Sequence, residues 1–353
     1  MEKLEYTRVE ECCEILDSMR IPITASDRKE GKYPYYGANG IQDYVNDYIF
    51  DDELVLLAED GGNFGSKEKP IAYRVSGKCW VNNHAHVLKP KEEIDVDYLC
   101  YSLMFYKVDG MINGATRKKL TQTAMKKMKI PLRNIVEQKK IVQQLNKIIE
   151  IREKAKKELN LLDNLIQARF VEMFGDPITN SKLLPIEKIE ERYFLKAGIT
   201  TKAEDIHDYL KDKYEIPCYG GNGIRGYVEN LSYEGCYPII GRQGALCGNV
   251  QYATGKFHAT EHAVLVSTLK NDNTMWVYYM LKLMDLYRYH TGAAQPGLAV
   301  KKLNTIDVIV ADINLQNQFA AFVHQINKSK FEVQKSLEKT QLLYDSLMQE
   351  YFG

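Results

Sequence analysis

The sequence lacks the features that mark membrane and secreted proteins. No apolar run approaches the roughly 18 residues needed to span a membrane, and the first residues do not form a secretory signal. The seven cysteines are an odd number, and Cys12 and Cys13 are adjacent, which does not suit a disulfide framework. We therefore expect a cytoplasmic protein with reduced thiols and no membrane association.

An excess of charge of either sign is also absent, since 47 Lys and Arg residues balance 47 Asp and Glu residues. Nucleic-acid-binding domains are usually basic, so the overall charge is a weak argument against such a partner. Local basic clusters nevertheless occur at residues 117–119, 126–129 and 301–302. Nucleic acid therefore stays among the candidate partners.

Catalytic and cofactor motifs are missing as well. There is no Asn or Asp followed by a proline pair, as expected of an adenine methyltransferase, and there is no P-loop or nucleophile elbow. The glycine pairs Gly37/Gly40 and Gly220/Gly223 lack the spacing of a dinucleotide-binding loop. They predict tight turns that present Asn39 and Asn222. We expect neither a catalytic centre nor a cofactor.

What the sequence does contain is one pattern written twice. YGANGI at residues 36–41 returns as YGGNGI at 219–224, an offset of 183. From Gly77, which matches Gly255, the offset is 178 to the end of the chain, so five residues are missing from the second copy between Gly248 and Gly255. A period near 180 residues is far too long for a solenoid repeat. It predicts a duplicated domain.

Each copy ends in a long heptad pattern, in which seam positions recur at steps of about three and four. The first seam contains Ile141, Leu145, Ile148, Arg152, Ala155, Leu159, Leu162, Ile166, Arg169 and Met173. The second contains Phe319, Val323, Ile326, Lys330, Val333, Leu337, Thr340, Tyr344, Leu347 and Tyr351. A single helix cannot bury such a stripe alone. We expect the two helices to pair antiparallel; the alternative is two independent helices, each covering its own domain.

Shorter signals describe the domain that precedes each helix. Apolar segments predict strands at 54–58, 71–75, 81–88 and 130–132, with counterparts at 237–241, 249–253, 263–267 and 308–310. Amphipathic helices are predicted at 96–106 and 276–287. The fold class is therefore α+β, a tandem duplication of a mixed domain followed by a long helix, with pseudo-two-fold symmetry. We expect domains at 1–135 and 176–313 and long helices at 136–175 and 314–353.

The candidate catalytic and metal-binding residues can be tested by asking whether they recur in the second copy. Glu59 and Asp60 resemble a catalytic carboxylate pair, but the second copy has Arg242 and Gln243 there, which favours a recognition loop over catalysis. A metal site made of Cys79, His84 and His86 would lose two of its three ligands in the second copy, so no metal is expected. His84 and its counterpart His262 either pack at a strand edge or contact a ligand.

Several motifs together resemble the specificity subunits of type I restriction-modification systems. They are LDSMRIPI at 16–23, YPYYGANGI at 33–41, AEDG at 58–61, MFGDP at 173–177 and TGAAQPGL at 291–298. The resemblance covers the whole chain and includes the tandem domain–helix layout.

This resemblance implies two target recognition domains, each reading half of a bipartite site in double-stranded DNA. It implies that the helical regions dock methyltransferase subunits, for which we expect two, and that restriction subunits join the full complex. The chain itself would catalyse nothing. Two other functions stay open: a coiled-coil scaffold that does not bind DNA, and a solitary restriction-modification enzyme.

Under the same resemblance we expect phosphate contacts from Arg117, Lys118, Lys119, Lys301 and Lys302. Base contacts are expected from loop residues that differ between the copies: Glu59, Asp60 and Asn63 in the first, Arg225, Arg242 and Gln243 in the second. Arginine reads guanine, amides read adenine and carboxylates accept from cytosine, each pair contributing about 1–3 kcal/mol of discrimination. Tyr36, Asn39, Tyr219 and Asn222 either bind the DNA backbone or shape their turns. His84, His262 and Gln295 complete the DNA-binding set.

The helix pair is further expected to fix the spacing of the half-sites. Two similar readers on successive major grooves would lie roughly 10 base pairs apart, which leaves a non-specific gap of roughly six. Inserting or deleting a whole heptad near Leu159 should change this gap and leave both half-sites unchanged.

Overall fold

The computed structural model describes residues 4–114, 117–210, 213–292 and 296–353. The chain divides into two compact units, Met1–Ala155 with Ser336–Gly353 and Lys156–Lys335. Each unit contains one six-stranded sheet, a two-stranded sheet that pairs its first strand with the strand before its long helix, and parts of both long helices. The first unit also contains a short two-stranded sheet of Ile112–Asn113 and Lys119–Leu120. Within the described ranges, no helix is both long and apolar enough to cross a membrane.

The first unit begins with a strand that pairs with the strand preceding the long helix. Its strands are β1 (Glu5–Arg8), β2 (Cys13–Ile15), β3 (Glu30–Gly37), β4 (Gly40–Val45), β5 (Phe50–Ala58), β6 (Ala72–Val81), β7 (Ala85–Pro90), β8 (Ile112–Asn113), β9 (Lys119–Leu120) and β10 (Lys129–Leu132). Its helices are α1 (Val9–Cys12), α2 (Val96–Met104), α3 (Gln122–Lys126) and the first part of α4 (Ile135–Phe174). The main sheet has the order β2-β7-β5-β6-β3-β4 and is antiparallel except between β3 and β6.

The central strand β5 is apolar without alternation because both of its faces are covered. Val55 and Leu57 belong to the core that includes Leu99 and Leu103 of α2. Leu54 and Leu56 belong to a second core on the opposite face of the sheet. A continuous apolar run is typical of a strand buried on both sides.

The second unit repeats this architecture. Its strands are β11 (Ile186–Lys188), β12 (Tyr193–Ala197), β13 (Ile216–Gly220), β14 (Gly223–Val228), β15 (Tyr233–Gly241), β16 (Val250–Ala259), β17 (Ala263–Thr268) and β18 (Asp307–Ile309). Its helices are α5 (Ile189–Arg192), α6 (Thr274–Leu283), α7 (Val300–Asn304) and part of α8 (Ile313–Phe352). The main sheet has the order β12-β17-β15-β16-β13-β14, which is the order of the first unit. The predicted tandem duplication of an α+β domain is confirmed.

The tight turns predicted at the glycine pairs are also confirmed. Ala38 and Asn39 join β3 to β4, and Gly40 follows with a φ of +108°. Gly223 has the equivalent position after Asn222, with a φ of +101°. A side chain is unfavourable in this backbone conformation, which is why glycine stands there. Asn39 and Asn222 are both exposed at the turns.

Two sequence predictions are wrong in detail. The strand predicted at 81–88 is interrupted by a turn at 82–84, because the Asn82 side chain accepts a hydrogen bond from the backbone of His84 at 2.8 Å. The helix predicted at 276–287 stops at Leu283, since Asp285 has left-handed backbone with a φ of +48°. The five-residue length change lies between Gly248 and the start of β16 at Val250, since Gly248, with a φ of +83°, still matches Gly65, with a φ of +81°, at the offset of 183. Its predicted place between Gly248 and Gly255 is therefore confirmed.

The long helices pair antiparallel, as contacts inside each unit show. In the first unit, Ile141, Leu145 and Ile148 of α4 share a core with Tyr344 near the end of α8. In the second unit, Ile166 and Phe170 near the end of α4 share a core with Phe319 near the start of α8. The beginning of each helix therefore lies against the end of the other, and the predicted antiparallel pair is confirmed.

Candidate nucleic-acid interface

Four segments of the first unit meet beside the tip of the β3–β4 hairpin. The backbone N–H of Glu59 donates to the carbonyl of His84 at 2.9 Å, and the backbone N–H of Leu120 donates to the carbonyl of Glu59 at 2.7 Å. The Asn39 side chain donates to the carbonyl of Gly61 at 3.0 Å. Seven of the residues named in advance as DNA contacts come together here: Asn39, Glu59, Asp60, His84, Arg117, Lys118 and Lys119. We call this group the first loop surface.

The most exposed charged group with a fixed partner on this surface is Arg117. Its Nη2 lies 2.5 Å from Oδ1 of Asp60, which in turn lies 2.8 Å from Nδ1 of His84. The contact with Arg117 is an ion pair, and Asp60 Oδ1 has no aligned hydrogen bond within the described residues. The Arg117 side chain is 60% exposed and that of Asp60 only 15%. The cation therefore faces solvent and the carboxylate lies beneath it.

Glu59 is buried in a charge-compensated network. Arg20 donates to its carboxylate at 2.6 Å, and Lys119 pairs with its other oxygen at 2.9 Å. Burial by itself would raise the pKa of Glu59, but the hydrogen bonds from Arg20 and Lys119 outweigh burial and lower the pKa below its usual value. Glu59 is therefore ionised at neutral pH, and its charge is balanced within the domain.

Beneath Glu59, the side chains of Asp17, Glu59 and His86 bring three potential metal-ligand atoms within 4.8 Å of one another. These atoms already have protein partners. His86 Nδ1 lies 2.7 Å from Asp17, and its Nε2 donates to the carbonyl of Leu120 at 2.9 Å. Asp17 also accepts from the Gln122 side chain at 2.9 Å. This geometry fits a hydrogen-bonded network that supports the loops, because each potential metal-ligand atom already has a protein partner without a cation.

Cys79 does not join that group. Its side chain is fully buried, and burial raises the pKa of the thiol to about 12. The thiolate that a metal requires is therefore disfavoured.

Two other residues named in advance pack inside the first unit. The ring of Tyr36 is half-buried, with its centroid 5.7 Å from that of Tyr73, and burial raises its pKa. The Asn63 side chain donates to the carbonyl of Pro70 at 3.4 Å and closes its own loop. Both residues support the surface.

In the second unit, Asn222, Arg225 and His262 line a cavity of about 280 Å³ together with Thr260. Within the described residues, the hydroxyl of Thr260 and Nδ1 of His262 are buried atoms without a hydrogen-bond partner. Asn222 accepts from the Asn249 side chain at 2.5 Å. Tyr219 lies beside this cavity in the chain, and its ring packs edge-on against Phe257 at 5.5 Å.

Arg242 and Gln243 follow β15 as Glu59 and Asp60 follow β5. The backbone N–H of Arg242 donates to the carbonyl of His262 at 3.1 Å, and Gln243 forms an isolated β-bridge with Gly297. In the described part of the chain, neither Arg225 nor Arg242 forms an ion pair. The backbone thus matches the first unit, where Asp60 bridges to Lys119, but the side-chain charges are not balanced.

The remaining predicted contacts are elsewhere. Lys301 and Lys302 are exposed on α7, and Lys302 lines a separate cavity of about 250 Å³ with Arg288 and Asp307. Gln295 lies outside the described residues.

Sequence reasoning missed Arg20 as a member of these surfaces. Arg20 lies within LDSMRIPI, but its partner Glu59 is 39 positions away, so the pairing leaves no local signal.

Comparison with known proteins gives a consistent result. A family model described as "Type I restriction modification DNA specificity domain" matches residues 1–161 and 194–342. The type I restriction enzyme EcoprrI specificity subunit of Escherichia coli is 46% identical over 133 residues, which is 38% of this chain and 33% of that protein. A putative type I restriction enzyme specificity subunit of Haemophilus influenzae is 36% identical over 144 residues, 41% of this chain and 37% of that protein. The chain thus spans about a third of the length of these relatives.

Two solved structures resemble the fold along the whole chain. The S subunit of a type I restriction-modification system from M. genitalium aligns with a TM-score of 0.65 at 16% identity, covering 100% of this chain and 97% of that one. A chain from a study of complex assembly and conformational transition of the type I R-M system aligns with a TM-score of 0.58 at 14% identity, covering 100% and 99%. At these identities the likeness concerns the fold alone.

Proposed function

Because this chain belongs to the type I restriction-modification DNA specificity family, we propose that it selects the DNA sequence on which a type I restriction-modification complex acts. Each α+β domain binds one half of a bipartite site in double-stranded DNA. The chain catalyses nothing itself: two methyltransferase subunits modify adenine, and restriction subunits cleave in the full complex. It works in the cytoplasm, where the DNA is.

The main support for this proposal is that the two units have the same backbone arrangement at these loops but different side chains on it. Asp60 and Gln243 occupy equivalent positions, each forming a β-bridge to the segment that follows the Gly-rich stretch. Around them the first unit places a carboxylate with an arginine, and the second places an amide beside unbalanced cations. Base pairs differ in the donors and acceptors that they present in the major groove. Two copies of one frame with unlike donors and acceptors suit the reading of two unlike half-sites.

The exposed cations favour DNA binding over a scaffold role. Arg117 and Lys118 are exposed in the first unit, and Arg225, Lys301 and Lys302 in the second. Neutralising DNA phosphates releases counterions, so binding through such residues must weaken as salt rises. A scaffold that does not bind DNA has no such dependence.

The test is to co-express the chain with a methyltransferase subunit of its own system and to map methylated adenines across the host genome. We expect one bipartite motif. We also expect the purified complex to bind a duplex with that motif more tightly than a scrambled duplex, with an affinity that falls as salt rises. Salt-independent or absent binding would favour the scaffold. Arg225→Ala should alter one half-site only.

The same assay tests the predicted role of helix length. A heptad inserted near Leu159, with a heptad inserted at the paired level of α8, should lengthen the gap in the methylated motif and leave both half-sites unchanged. An unchanged gap would refute that role.

A further inference from the structure

We infer that Arg117 reads a guanine in the half-site of the first domain and that Asp60 is the residue that positions it. This inference rests on the proposed function and adds to it the identity of one base and the residues that select it.

Three neighbours fix the guanidinium of Arg117 in one orientation. Its Nη2 lies 2.5 Å from Asp60 Oδ1 and 3.4 Å from Nδ1 of His84. Its Nε and Nη2 also lie over Gly61, where an added Cβ would be 3.4 Å from both atoms. Gly61 has a φ of +63°, so glycine is favoured there on conformational grounds as well. The side chain therefore has an ion-pair partner, a ring beside it and a backbone surface beneath it.

The rest of the guanidinium is free to bind DNA. Arginine has five N–H donors in a rigid plane, and the Asp60 contact is not aligned as a hydrogen bond and uses none of them fully. The side chain is 60% exposed. Guanine presents two acceptors, O6 and N7, that an arginine binds with two parallel hydrogen bonds. A guanidinium that is already oriented loses less conformational entropy when it forms them.

Asp60 is poorly placed to read a base directly. Its side chain is 15% exposed, and Oδ1 is enclosed between Arg117 and His84. A cytosine amino group would have to displace the arginine to reach it. The carboxylate therefore acts through Arg117, whereas the sequence analysis expected Asp60 to read a base and Arg117 to bind a phosphate.

Lys118 and Lys119 differ from Arg117 in this respect. Lys119 pairs with Glu59 at 2.9 Å, and an ammonium group interacts as a point charge without a preferred plane. A cation that only neutralises a phosphate does not need a fixed orientation, whereas Arg117 is oriented by three neighbours. The offsets of 183 and 178 pair Asp60 and Arg117 with Gln243 and Gln295, so the guanine contact made by this pair of residues belongs to the first half-site alone.

The experiment uses the full chain in complex with its methyltransferase subunit. Binding is measured by competition against duplexes in which each base pair of the first half-site is replaced in turn. The variants are Arg117→Gln, Arg117→Lys and Asp60→Asn. The control is Arg8→Gln, which removes an exposed arginine that pairs with Glu10 at 3.5 Å in the same domain.

For Arg117→Gln we expect discrimination at one G·C pair of the first half-site to fall by about 10- to 100-fold, with the other positions unchanged. Arg117→Lys keeps the charge but not the planar fork, so it should lose the same discrimination. Asp60→Asn should reduce, but not abolish, discrimination at the same G·C pair, and it should leave the other positions and the Tm unchanged. Arg8→Gln should leave discrimination intact.

A different pattern overturns the inference. If Arg117→Gln weakens binding to all sequences equally and lowers the salt slope by about one, Arg117 is a phosphate contact. If Asp60→Asn leaves discrimination intact, Asp60 does not position the arginine. A first half-site that contains no G·C pair sensitive to Arg117 also overturns it. Failure of the unmodified complex to bind DNA in a salt-dependent way would instead remove the proposed function, and the inference with it.

Discussion

Gln138 and Gln316, 178 positions apart, each bind the residue that caps the amphipathic helix of their own domain. The side-chain oxygen of Gln138 accepts from the backbone N–H of Asp95, and that of Gln316 accepts from the backbone N–H of Asn273, both at 2.8 Å. Each amide nitrogen also donates to the carbonyl that precedes its long helix, Arg133 at 2.8 Å and Ala311 at 3.0 Å. The same buried amide therefore attaches each long helix to its own domain.

Replacement of Gln138 by alanine should destabilise the first unit by about 1–3 kcal/mol, because the N–H of Asp95 and the carbonyls of Glu93 and Arg133 would lose their buried partner. Urea unfolding of the purified chain measures this loss. Gln143→Ala is the matched control, since Gln143 is exposed on the same helix. Equal effects of the two substitutions would show that the buried amide has no special role.

A second prediction concerns a buried ion pair in the second unit. Arg192 binds Asp272 through two hydrogen bonds of 2.5 and 2.6 Å, and both residues are buried. Asp272→Asn leaves the buried guanidinium with only the longer contact to Glu187, at 3.4 Å, as an anionic partner and should cost up to about 3–5 kcal/mol. The double variant Arg192→Met with Asp272→Leu should cost less than the single one, because no charge is then left unpaired.

The first domain supports that expectation, since it has buried Cys12 and Ile94 at the matching positions and folds on the same frame. Glu190→Gln, an exposed neighbour of the pair, serves as the control and should change stability little. A double variant less stable than Asp272→Asn would contradict the argument.

The pH dependence of stability should differ between the two domains. His258 is buried between the hydroxyls of Thr201, at 2.8 Å, and Ser232, and burial lowers its pKa. The unfolded chain, with an ordinary histidine pKa of about 6.5, then binds a proton before the folded domain does. The second domain should therefore lose stability as pH falls below about 6.5.

Asp17 produces the corresponding effect in the first domain only at lower pH. Burial opposes its ionisation, but the hydrogen bond and charge of His86 outweigh burial and hold the pKa of Asp17 below its usual value. Its contribution is present above about pH 4 and is lost as pH falls further. Urea unfolding between about pH 2 and pH 8 covers both effects and separates them. His258→Gln should remove the loss near pH 6, and His324→Gln, an exposed site on α8, should not.

The elements of the fold could be predicted because their signals are local. The repeat, the buried run that became β5 and the turns at Gly40 and Gly223 all follow from neighbouring residues. The contacts of the candidate surface could not. Asp60 and Arg117 are 57 positions apart, and the sequence showed two opposite charges without showing that one holds the other. Equally, Glu59 looks like an exposed acid until Arg20 and Lys119 are placed beside it.

The heptad seam of α4 could be predicted only in part. Ile141, Leu145 and Ile148 are buried as the heptad pattern predicted. Towards the end of α4, however, the fully buried residues are Ile166, Phe170 and Phe174, at steps of four, while the predicted Met173 is only half-buried. The reason is that this part of the helix packs against both α8 and Trp276 of α6. A single-seam pattern cannot represent two partners.

The aromatic contacts at that end of α4 give the last prediction. The ring of Phe170 is fully buried, 5.1 Å from Phe174, 5.4 Å edge-on from Phe319 of α8 and 6.4 Å from Trp276. Phe170→Ala removes the ring that touches both the partner helix and the domain, so it should cost the second unit about 3–5 kcal/mol. Phe170→Leu, which fills more of the space, should cost less.

The control is Leu165→Ala on the same helix, where the side chain is 46% exposed and truncation leaves no cavity. Chemical denaturation followed by tryptophan fluorescence is a suitable measurement, because Trp276 lies in the same cluster. If Phe170→Ala and Leu165→Ala lowered the free energy of unfolding equally, Phe170 would not connect the helix pair to the domain, and the packing of α4 between α8 and α6 would have to be rejected.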